Sequence, residues 1–321
     1  MKKIFLLIIV LACLFCFAGS APEAQNIKWG VNFSQKQSQG LGLDWKQNYT
    51  ALIDDLGVKR IKLSSYWDLL EPEEGKYFFD DLDWQVNQAE QKGVDLILVI
   101  GMRTLRWPEC HIPGWARNLS KEEQQQEISE LIAETVSRYK DSKSVVKWQV
   151  ENETFFPFGE CLWSDEKFLK KEVELVRSLD ERPVVISDSG EGSFWFKAAG
   201  IGDEVGVTMY RKVWFGQFNN YLEYPFAPAF YQRKAWAIEH FFKKKVFCAE
   251  LQAEPWGSKL LFDLPLEEQK NTMTLEKLEK NIEFARKTGL DEFYLWGGEW
   301  WYWLKEKQGN PEIWNLAKTL F

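Results

Sequence analysis

The feature that most constrains the fold is a repeated alternation of short β-rich runs with longer helical patterns along most of the chain. The β-rich runs are bounded by turn-forming residues, and such an alternation is typical of a parallel sheet with crossover helices. The predicted strands are Trp29–Phe33, Lys59–Ser64, Asp95–Ile100, Val145–Val150, Pro183–Ser187, Glu204–Tyr210, Lys245–Ala249 and Glu292–Trp296.

Helical periodicity fills several of the intervals between these strands. Ser120, with Glu123 three residues later, has the pattern of a helix cap. Gly57, Gly93 and Gly289 each stand directly before a predicted strand, where glycine commonly ends a helix. The predicted helices are Asp81–Lys92, Lys121–Tyr139, Glu166–Leu179, Tyr231–Lys243, Leu275–Thr288 and Ile313–Phe321.

Eight strands with intervening helices in about 300 residues predict a single-domain (β/α)8 TIM barrel. The alternative is an open, doubly wound sheet, but no glycine-rich phosphate loop follows the first strand. In a barrel, functional residues lie on the loops that follow the carboxyl ends of the strands. We therefore examined the residues just past each predicted strand.

The first residues have the features of a secretory signal. Lys2 and Lys3 precede an apolar run, Ile4–Ala18, which is shorter than the ~20 residues that span a bilayer. Small residues follow the run, and cleavage is predicted near Ala21. We expect a signal peptide over residues 1–21 and a catalytic domain over 22–321, in a secreted or extracytoplasmic protein. The alternative is an uncleaved anchor, which would be the protein's contact with a membrane.

Charge and composition exclude several classes of function. The net charge is −8, or −10 without the two leading lysines, and an acidic surface argues against nucleic acid or an anionic membrane as partner. The chain has two histidines, His111 and His240, so a multi-histidine metal site is not expected. We expect neither a metal nor another cofactor.

Two predicted strands are followed by carboxylates in equivalent positions. Asn152 and Glu153 follow Val145–Val150, and Glu250 follows Lys245–Ala249. The two glutamates are 97 residues apart, close to the ~94 residues that three units of a typical barrel occupy. They should therefore face each other across the barrel mouth, and two opposed carboxyl groups are what glycoside hydrolysis requires. The alternative is that both are ordinary loop acids among the 48 acidic residues.

At these motifs the chain resembles clan A of the glycoside hydrolases, retaining (β/α)8 enzymes that include family 5 cellulases and mannanases and family 42 β-galactosidases. The most specific stretch is WQVENE (Trp148–Glu153), and FCAELQAEPW (Phe247–Trp256) is looser. Lys59–Leu98 resembles the clan's second unit, and PECHIPGWA (Pro108–Ala116) resembles its loop after strand three. The resemblance spans most of the chain after the leader and does not decide a single family.

The resemblance implies specific roles. Glu153 would be the general acid/base and Glu250 the nucleophile. Asn152 would hydrogen-bond the sugar 2-hydroxyl, and Tyr210 would lie against the nucleophile. Trp296 would form the floor under the sugar at the cleavage site. Core roles for Tyr210 and Trp296 are the alternatives.

Further residues in the resembling stretches are predicted to contact or support the substrate. Trp67 and Trp256 stand at aromatic positions of the second and seventh units, and Lys62 takes a position where clan members often carry arginine. A histidine often precedes the strand-six tyrosine by two residues, and Thr208 takes its place here.

Three more acids lie near the motifs. Glu299 follows the last strand and is predicted to be a sugar-hydroxyl ligand, with a solvated loop acid as the alternative. For Glu254 the solvated loop acid is the preferred interpretation. Glu151 would point the same way as Glu153 on a straight strand, as a substrate ligand or as a buried partner of Lys62.

The loops after strands three and four carry Cys110 and Cys161. Because neighbouring barrel loops can approach within bridging range, we expect a disulfide between them. Cys248, on strand seven, is predicted to be a buried free thiol. His111, beside Cys110, could line the cleft, and His240 is expected to be structural.

The sequence predicts a secreted O-glycosyl hydrolase that cleaves a β-linked oligo- or polysaccharide by double displacement. Seventeen tryptophans, many in loop-like sequence, are suitable platforms for sugar rings, although core packing can account for about half of them. Lys62 and Thr208 motivate the alternative of a carbohydrate-binding barrel with weak or no hydrolysis. A transglycosylase would keep the same carboxylates.

Overall fold

A computed structural model describes residues 26–321 together with Gly19 and Ala24. Eight parallel strands pair in sequence order, and the last pairs with the first to close a barrel. The predicted (β/α)8 barrel is therefore confirmed. Its strands are β1 (Lys28–Phe33), β2 (Arg60–Ser64), β3 (Asp95–Ile100), β4 (Val145–Val150), β5 (Val184–Asp188), β6 (Glu204–Met209), β7 (Lys245–Gln252) and β8 (Glu292–Trp296).

Helices cover the outside of the barrel and continue from several strand ends. The helices are α1 (Gln35–Gly40), α2 (Trp45–Asp54), α3 (Trp67–Leu70), α4 (Asp80–Lys92), α5 (Lys121–Tyr139), α6 (Glu166–Leu179), α7 (Phe196–Ile201), α8 (Pro228–Phe242), α9 (Leu266–Gln269), α10 (Leu275–Arg286), α11 (Gly298–Gln308) and α12 (Glu312–Lys318). Short 3₁₀ turns occupy Ala116–Asn118, Gly216–Phe218 and Leu261–Asp263.

The predicted strands agree with the observed ones to within one residue at each end, except at β7. This strand continues to Gln252, so Glu250 lies inside it and not after it. The helical patterns missed six helices: α1, α2, α3, α7, α9 and α11. Helices α1, α3, α7 and α9 have only four to six residues, and α11 begins with glycine and is rich in tryptophan, which resembles loop sequence.

The barrel interior has an apolar layer beneath a polar one. The outer faces of the strands and the inner faces of the helices form the main core, while a smaller cluster fills the barrel itself. That interior cluster consists of Ile97, Val185, Phe247, Ala249 and Tyr294. Above it, towards the carboxyl ends of the strands, the interior positions carry polar and charged side chains.

Strand β7 contains one extra residue relative to both of its neighbours. Val207 pairs with Cys248, but Thr208 pairs with Glu250, and β8 shows the same shift. Ala249 already faces the interior, so strict alternation would send Glu250 outward. The bulge at Ala249 turns Glu250 inward, as bulges beside active sites commonly re-aim a side chain.

A two-stranded hairpin follows β6. Its strands are Lys212–Phe215 and Asn220–Glu223, paired antiparallel. Gln252, at the end of β7, accepts from the backbone N–H groups of Arg211 and Lys212 at 2.8 and 2.9 Å, so the hairpin is fixed to the barrel at its base.

The predicted leader, residues 1–21, lies outside the described residues except for Gly19. Among the described residues, no helix has both the length and the apolar character needed to cross a bilayer.

Helix α5 has the capping box that its sequence predicts. The Glu123 N–H donates to Ser120 Oγ at 3.3 Å, and the Ser120 N–H donates to Glu123 Oε2 at 2.8 Å. Ser120→Ala should lower the free energy of unfolding by about 1 kcal/mol, because an N–H at the helix start loses its partner. Urea unfolding followed by circular dichroism measures this change. Ser129→Ala, in the interior of the same helix, is the matched control, and an equal loss in both variants would contradict the capping role.

Candidate active site

A cavity of about 620 Å³ opens at the carboxyl ends of the strands. Glu153 from the β4 end and Glu250 from β7 both line it, so the structure brings the two predicted carboxyls together. The other lining residues come from the loops after β1, β3, β4, β6, β7 and β8, and they include Lys36, Arg106, Trp107, Glu109, Phe158, Tyr210, Glu254, Trp256, Leu260, Phe262 and Trp296.

The Glu250 carboxyl is bound by two donors. Lys62 Nζ, from β2, lies 2.8 Å from Oε1, and the Tyr210 hydroxyl donates to Oε2 at 3.0 Å. Burial and the adjacent Glu250 charge raise the pKa of Tyr210 well above its ordinary value, so the phenol stays protonated and keeps donating. Lys62 has no exposed surface and reaches the site only through Glu250. It therefore supports the carboxylate and is not a sugar contact, which corrects its prediction as a substrate-binding residue.

Glu153 occupies a different environment. The Thr208 hydroxyl donates to Glu153 Oε1 at 3.2 Å, and no salt bridge to Glu153 is found among the described residues. Burial, followed by the nearby charge of Glu250, raises the pKa of Glu153 well above its ordinary value. One carboxyl is thus stabilised as an anion and the other as a neutral acid.

The turn after β4 points the side chains of Glu151 and Glu153 in different directions. Glu151 and Glu153 both have positive φ, 57° and 41°, an uncommon conformation for residues other than glycine. Glu153 N–H donates to Ser187 Oγ at 2.9 Å, which fixes the turn to β5. Glu151 instead accepts from the N–H groups of Met102 and Arg103 at 2.8 and 2.7 Å. It neither points with Glu153 nor pairs with Lys62, so both expectations for Glu151 are wrong.

Gly101 makes the approach of Glu151 possible. A Cβ at this position would overlap the Glu151 carboxyl group, and the residue has φ of 109°. The loop after β3 is therefore attached directly to the turn that carries Glu153.

Asn152 is buried and forms hydrogen bonds with three polar side chains. Its Oδ1 accepts from Gln149 Nε2 at 3.0 Å and from Ser187 Oγ at 3.2 Å, so these bonds fix the orientation of the amide. Its Nδ2 donates to Glu109 Oε2 at 3.1 Å. The amide N–H2 group is therefore held toward Glu109, whose side chain lines the cavity, while Asn152 is not among the lining residues.

Glu109 is a site residue that the sequence reasoning missed. It lies in the loop after β3, is buried, and has Arg103 Nε at 3.8 Å from its carboxyl. Burial raises the pKa of Glu109 to about 7, while the Arg103 charge opposes the shift. Glu109 lies in the stretch PECHIPGWA, which resembles the clan's loop after strand three. Nothing in that stretch distinguishes an acid that faces the cavity from one that faces solvent.

Trp296 lines the cavity at the end of β8, and Arg106 lies over its ring at 4.1 Å. Arg106 also binds two carboxylates, both oxygens of Glu254 and Glu299 Oε2 at 2.8 Å. The preferred interpretation of Glu254 as a solvated loop acid is therefore wrong. Glu299 lies in the first turn of α11 and has no exposed surface, and its second oxygen accepts from the Ser34 N–H. It holds Arg106 in place and lacks the exposure that its predicted role as a sugar ligand needs.

The two other predicted tryptophans differ in position. Trp256 forms part of the cavity wall, with its ring 5.1 Å from that of Tyr210. Trp67 has no exposed surface, donates from Nε1 to Glu71 Oε2 at 2.9 Å and packs edge-on against Trp115. It belongs to the core, so its prediction as a substrate contact is wrong.

The loops after β3 and β4 are joined by a disulfide between Cys110 and Cys161, with the Cα atoms 5.1 Å apart. Cys248 is a buried free thiol. His111 is buried between Lys36 and the backbone carbonyls of Leu105 and Arg106, and burial lowers its pKa to about 3, so it is neutral and does not line the cavity. His240, on α8, stacks on Trp236 at the surface.

A search of the described residues for groups of three or more potential metal-ligating side chains finds none. Three of the acids that line the cavity, Glu250, Glu109 and Glu254, are paired with Lys62, Arg103 and Arg106 respectively.

The chain is similar to known glycoside hydrolases in part of its sequence and in its fold. The model of Glycosyl hydrolase family 10 matches residues 26–171, just under half of the chain. The β-galactosidase LacZ of Lactobacillus acidophilus is 28% identical over 149 residues, which are 40% of this chain and 22% of that protein. The chain thus spans about a fifth of the length of this relative.

Two solved structures share the fold over most of the chain. A GH5_18 protein of Bifidobacterium longum subsp. longum in complex with Manβ1-4GlcNAc has a TM-score of 0.60 at 13% identity, covering 84% of this chain and 68% of that one. Xylanase 10B of Thermotoga petrophila in complex with xylobiose has a TM-score of 0.54 at 17% identity, covering 85% and 82%. The resemblance to clan A glycoside hydrolases is confirmed, and the predicted enzyme class, O-glycosyl hydrolase, agrees with these matches. The exact family is not assigned.

The ion pair between Lys62 and Glu250 yields a direct prediction. Lys62→Met should lower the free energy of unfolding by about 3–5 kcal/mol, because the variant leaves a buried carboxylate without its cation. It should also move the carboxyl carbon NMR signal of Glu250, since Oε1 loses the ammonium group that lies 2.8 Å away. Urea unfolding and carbon-detected NMR of labelled glutamates measure the two effects.

Lys147→Met is the matched control, since Lys147 is also mostly buried in the barrel and pairs with Glu204 at 2.7 Å, away from the cavity. It should destabilise the protein without moving the Glu250 carboxyl signal. An unchanged Glu250 carboxyl signal in Lys62→Met would contradict the assigned role of Lys62.

Proposed function

We propose that this protein is a retaining β-glycoside hydrolase in which Glu250 is the nucleophile and Glu153 is the general acid/base. The observation that carries the proposal is that two carboxyls in one cavity have different environments. Glu250 accepts from Lys62 and Tyr210, while Glu153 is buried beside an anion and has only the Thr208 hydroxyl as a side-chain donor. Pairs of carboxyls whose environments separate their pKa values are typical acid and base partners of glycosidases.

In the first step, a Glu250 oxygen attacks the anomeric carbon while Glu153 gives its proton to the glycosidic oxygen. The bond from the anomeric carbon to the leaving oxygen breaks as the glycosyl ester forms. In the second step, Glu153, now ionised, takes a proton from water, and the water oxygen displaces Glu250 from the anomeric carbon. Two inversions return the starting anomeric configuration.

The two donors of Glu250 suit this sequence of steps. Lys62 and Tyr210 bind the carboxylate before attack, and they stabilise its charge again when it departs in the second step. Lysine replaces the arginine common in the clan, and one Nζ contact at 2.8 Å supplies the charge without a two-pronged bond. Thr208 stands where clan members often carry histidine, and its hydroxyl donates a hydrogen bond to Glu153.

The substrate that fits the site is a β-linked oligo- or polysaccharide. Trp296 and Trp256 offer aromatic surface in the cavity, and Glu109 and Glu254 offer polar groups for hydroxyls. Asn152 lies behind Glu109 and donates to it. The solved structures of similar fold contain xylobiose and Manβ1-4GlcNAc, both β-linked sugars, which supports the same class of linkage here.

Export of the protein remains part of the proposal. The basic and apolar start of the sequence supports a signal peptide or anchor. The Cys110–Cys161 disulfide supports an oxidising compartment, because such bridges are rare where thiols are kept reduced.

The experiment that tests the function compares the mature protein with Glu153→Gln and Glu250→Gln. Each is mixed with β-1,3- and β-1,4-linked gluco-, manno-, xylo- and galacto-oligosaccharides, and proton NMR follows the first anomer released. The wild type should release the β-anomer first, and each variant should lose activity by at least about 10²-fold, since each lacks an essential proton donor or nucleophile.

Glu276→Gln, a surface change of the same kind, should keep wild-type activity. Release of the α-anomer first would contradict retention. Binding without any cleavage would instead support a carbohydrate-binding barrel, and longer products at high sugar concentration would support a transglycosylase.

A second prediction concerns the coupling between the two carboxyls. Because the Glu250 charge raises the pKa of Glu153, Glu250→Gln should lower that pKa. In the wild type, activity should fall on the basic side as Glu153 loses its proton. NMR titration of labelled glutamates compares Glu250→Gln with Glu276→Gln and the wild type. A Glu153 pKa that is the same in all three proteins would disprove the coupling.

A further inference from the structure

An aromatic contact crosses the mouth of the barrel above the paired carboxyls. Phe158, in the loop after β4, lies with its ring centroid 5.5 Å from that of Trp256, in the loop after β7. Trp256 also contacts Tyr210, whose hydroxyl binds Glu250. The contact therefore spans β5 and β6 and closes that side of the cavity.

The protein holds Phe158 in this position from several directions. Arg103 donates to the carbonyl oxygens of Phe156 and Phe158 at 3.0 and 2.8 Å. The Cys110–Cys161 disulfide ties the same loop to the loop after β3, and Trp107 packs edge-on against Phe158 with the ring centroids 5.7 Å apart. The crossing is thus fixed by covalent, polar and aromatic contacts.

A second crossing lies on the other side of the cavity. The ring of Phe262, in the long loop after β7, rests on Gly40 at the end of α1, where an added Cβ would lie 2.8 Å from the ring. This contact joins the loop after β7 to the helix after β1 and passes over β8. Only glycine leaves room for the ring at this distance.

The loop that carries Phe262 is itself well anchored. Trp256 N–H donates to Thr272 Oγ1 at 3.0 Å, which fixes its beginning. Ser258 Oγ and the hydroxyl of Tyr221, from the hairpin after β6, both donate to Glu268 Oε1, at 2.7 and 2.9 Å. The hairpin is therefore hydrogen-bonded to the segment that anchors the loop carrying Phe262.

A glycan chain that is cut internally must leave the site on both sides of the cleaved bond. The Phe158–Trp256 contact closes one side and the Phe262–Gly40 contact closes the other. The rim residues Trp107 and Leu260 remain 43% and 40% exposed and border the remaining entrance. The cavity volume, about 620 Å³, is in the range of pockets that bury most of one small ligand.

We infer that the site is a blind pocket that accepts the non-reducing end of a β-linked glycan and releases sugar from that end. The inference rests on the proposed function, because the roles of the two carboxyls orient the substrate. The sugar that becomes bonded to Glu250 lies deep, beside Trp296 and Arg106. The leaving group lies towards Glu153 and the entrance, since Glu153 protonates its oxygen.

The test measures binding, so that it does not depend on turnover. Glu153→Gln replaces the acid by a neutral group of the same shape and is titrated by calorimetry with xylo-, cello-, manno- and β-1,4-galactotetraose. Each tetraose is used free, methyl-capped on the non-reducing sugar, or as the methyl glycoside at the reducing end. Capping the non-reducing sugar should weaken binding by about tenfold or more, whereas the reducing-end glycoside should bind like the free sugar.

Opening variants locate the cause of this preference. Phe158→Ala and Phe262→Ala, each added to Glu153→Gln, should restore part of the binding of the capped tetraose, because each removes one crossing. Phe218→Ala is the matched control, since Phe218 is 75% exposed at the hairpin tip and does not line the cavity.

The outcomes separate the inference from the function on which it rests. If the wild type cuts tetraoses but both capped forms bind Glu153→Gln equally, the blind pocket is wrong and the glycosidase proposal stands. Loss of binding only on capping the reducing end would likewise overturn the orientation. If the wild type cuts no tetraose and no aryl β-glycoside, the proposed function fails, and failure of Glu153→Gln to bind any tetraose would then overturn the inference with it.

Discussion

The ion pair between Lys62 and Glu250 is the interaction on which the site depends. A carboxylate in the interior of a barrel is very costly unless a cation and further donors compensate for its lost hydration. Lys62 on β2 supplies the cation and Tyr210 supplies a second donor. Burial raises the pKa of Glu153 well above its ordinary value, and the nearby charge of Glu250 raises it further, so the ion pair at Glu250 also influences Glu153.

The same site depends on a local irregularity of the sheet. If β7 alternated regularly through Ala249, without the bulge, the side chain of Glu250 would point to the outer face of the strand and could not meet Lys62. At the β4 end, two positive φ angles turn Glu151 towards the loop after β3 and leave Glu153 in the cavity. The regular barrel supplies the frame, and these two departures from regular geometry direct the functional groups.

Much of this could be predicted from the sequence because it rests on periodicity and spacing. The strand pattern predicted the barrel, and the separation of Glu153 from Glu250 placed both at its mouth. The errors arose where burial and side-chain direction decide the outcome. Trp67 and Glu299 stand near functional motifs, yet the structure buries the first against Trp115 and pairs the second with Arg106. Glu109 escaped notice because its inward direction depends on the fold of a loop.

The central claim is that Glu250 forms a covalent bond with the sugar. A 2-fluoro-2-deoxy β-glycoside with an activated leaving group slows both steps, and release of the ester is slowed more, so the intermediate accumulates. Incubation with such reagents of the gluco, manno, xylo and galacto series, followed by peptide mass spectrometry, would locate the bond. We expect one fluorosugar on the peptide that contains Glu250. A sugar attached to Glu153 or Glu109, with Glu250 unmodified, would contradict it.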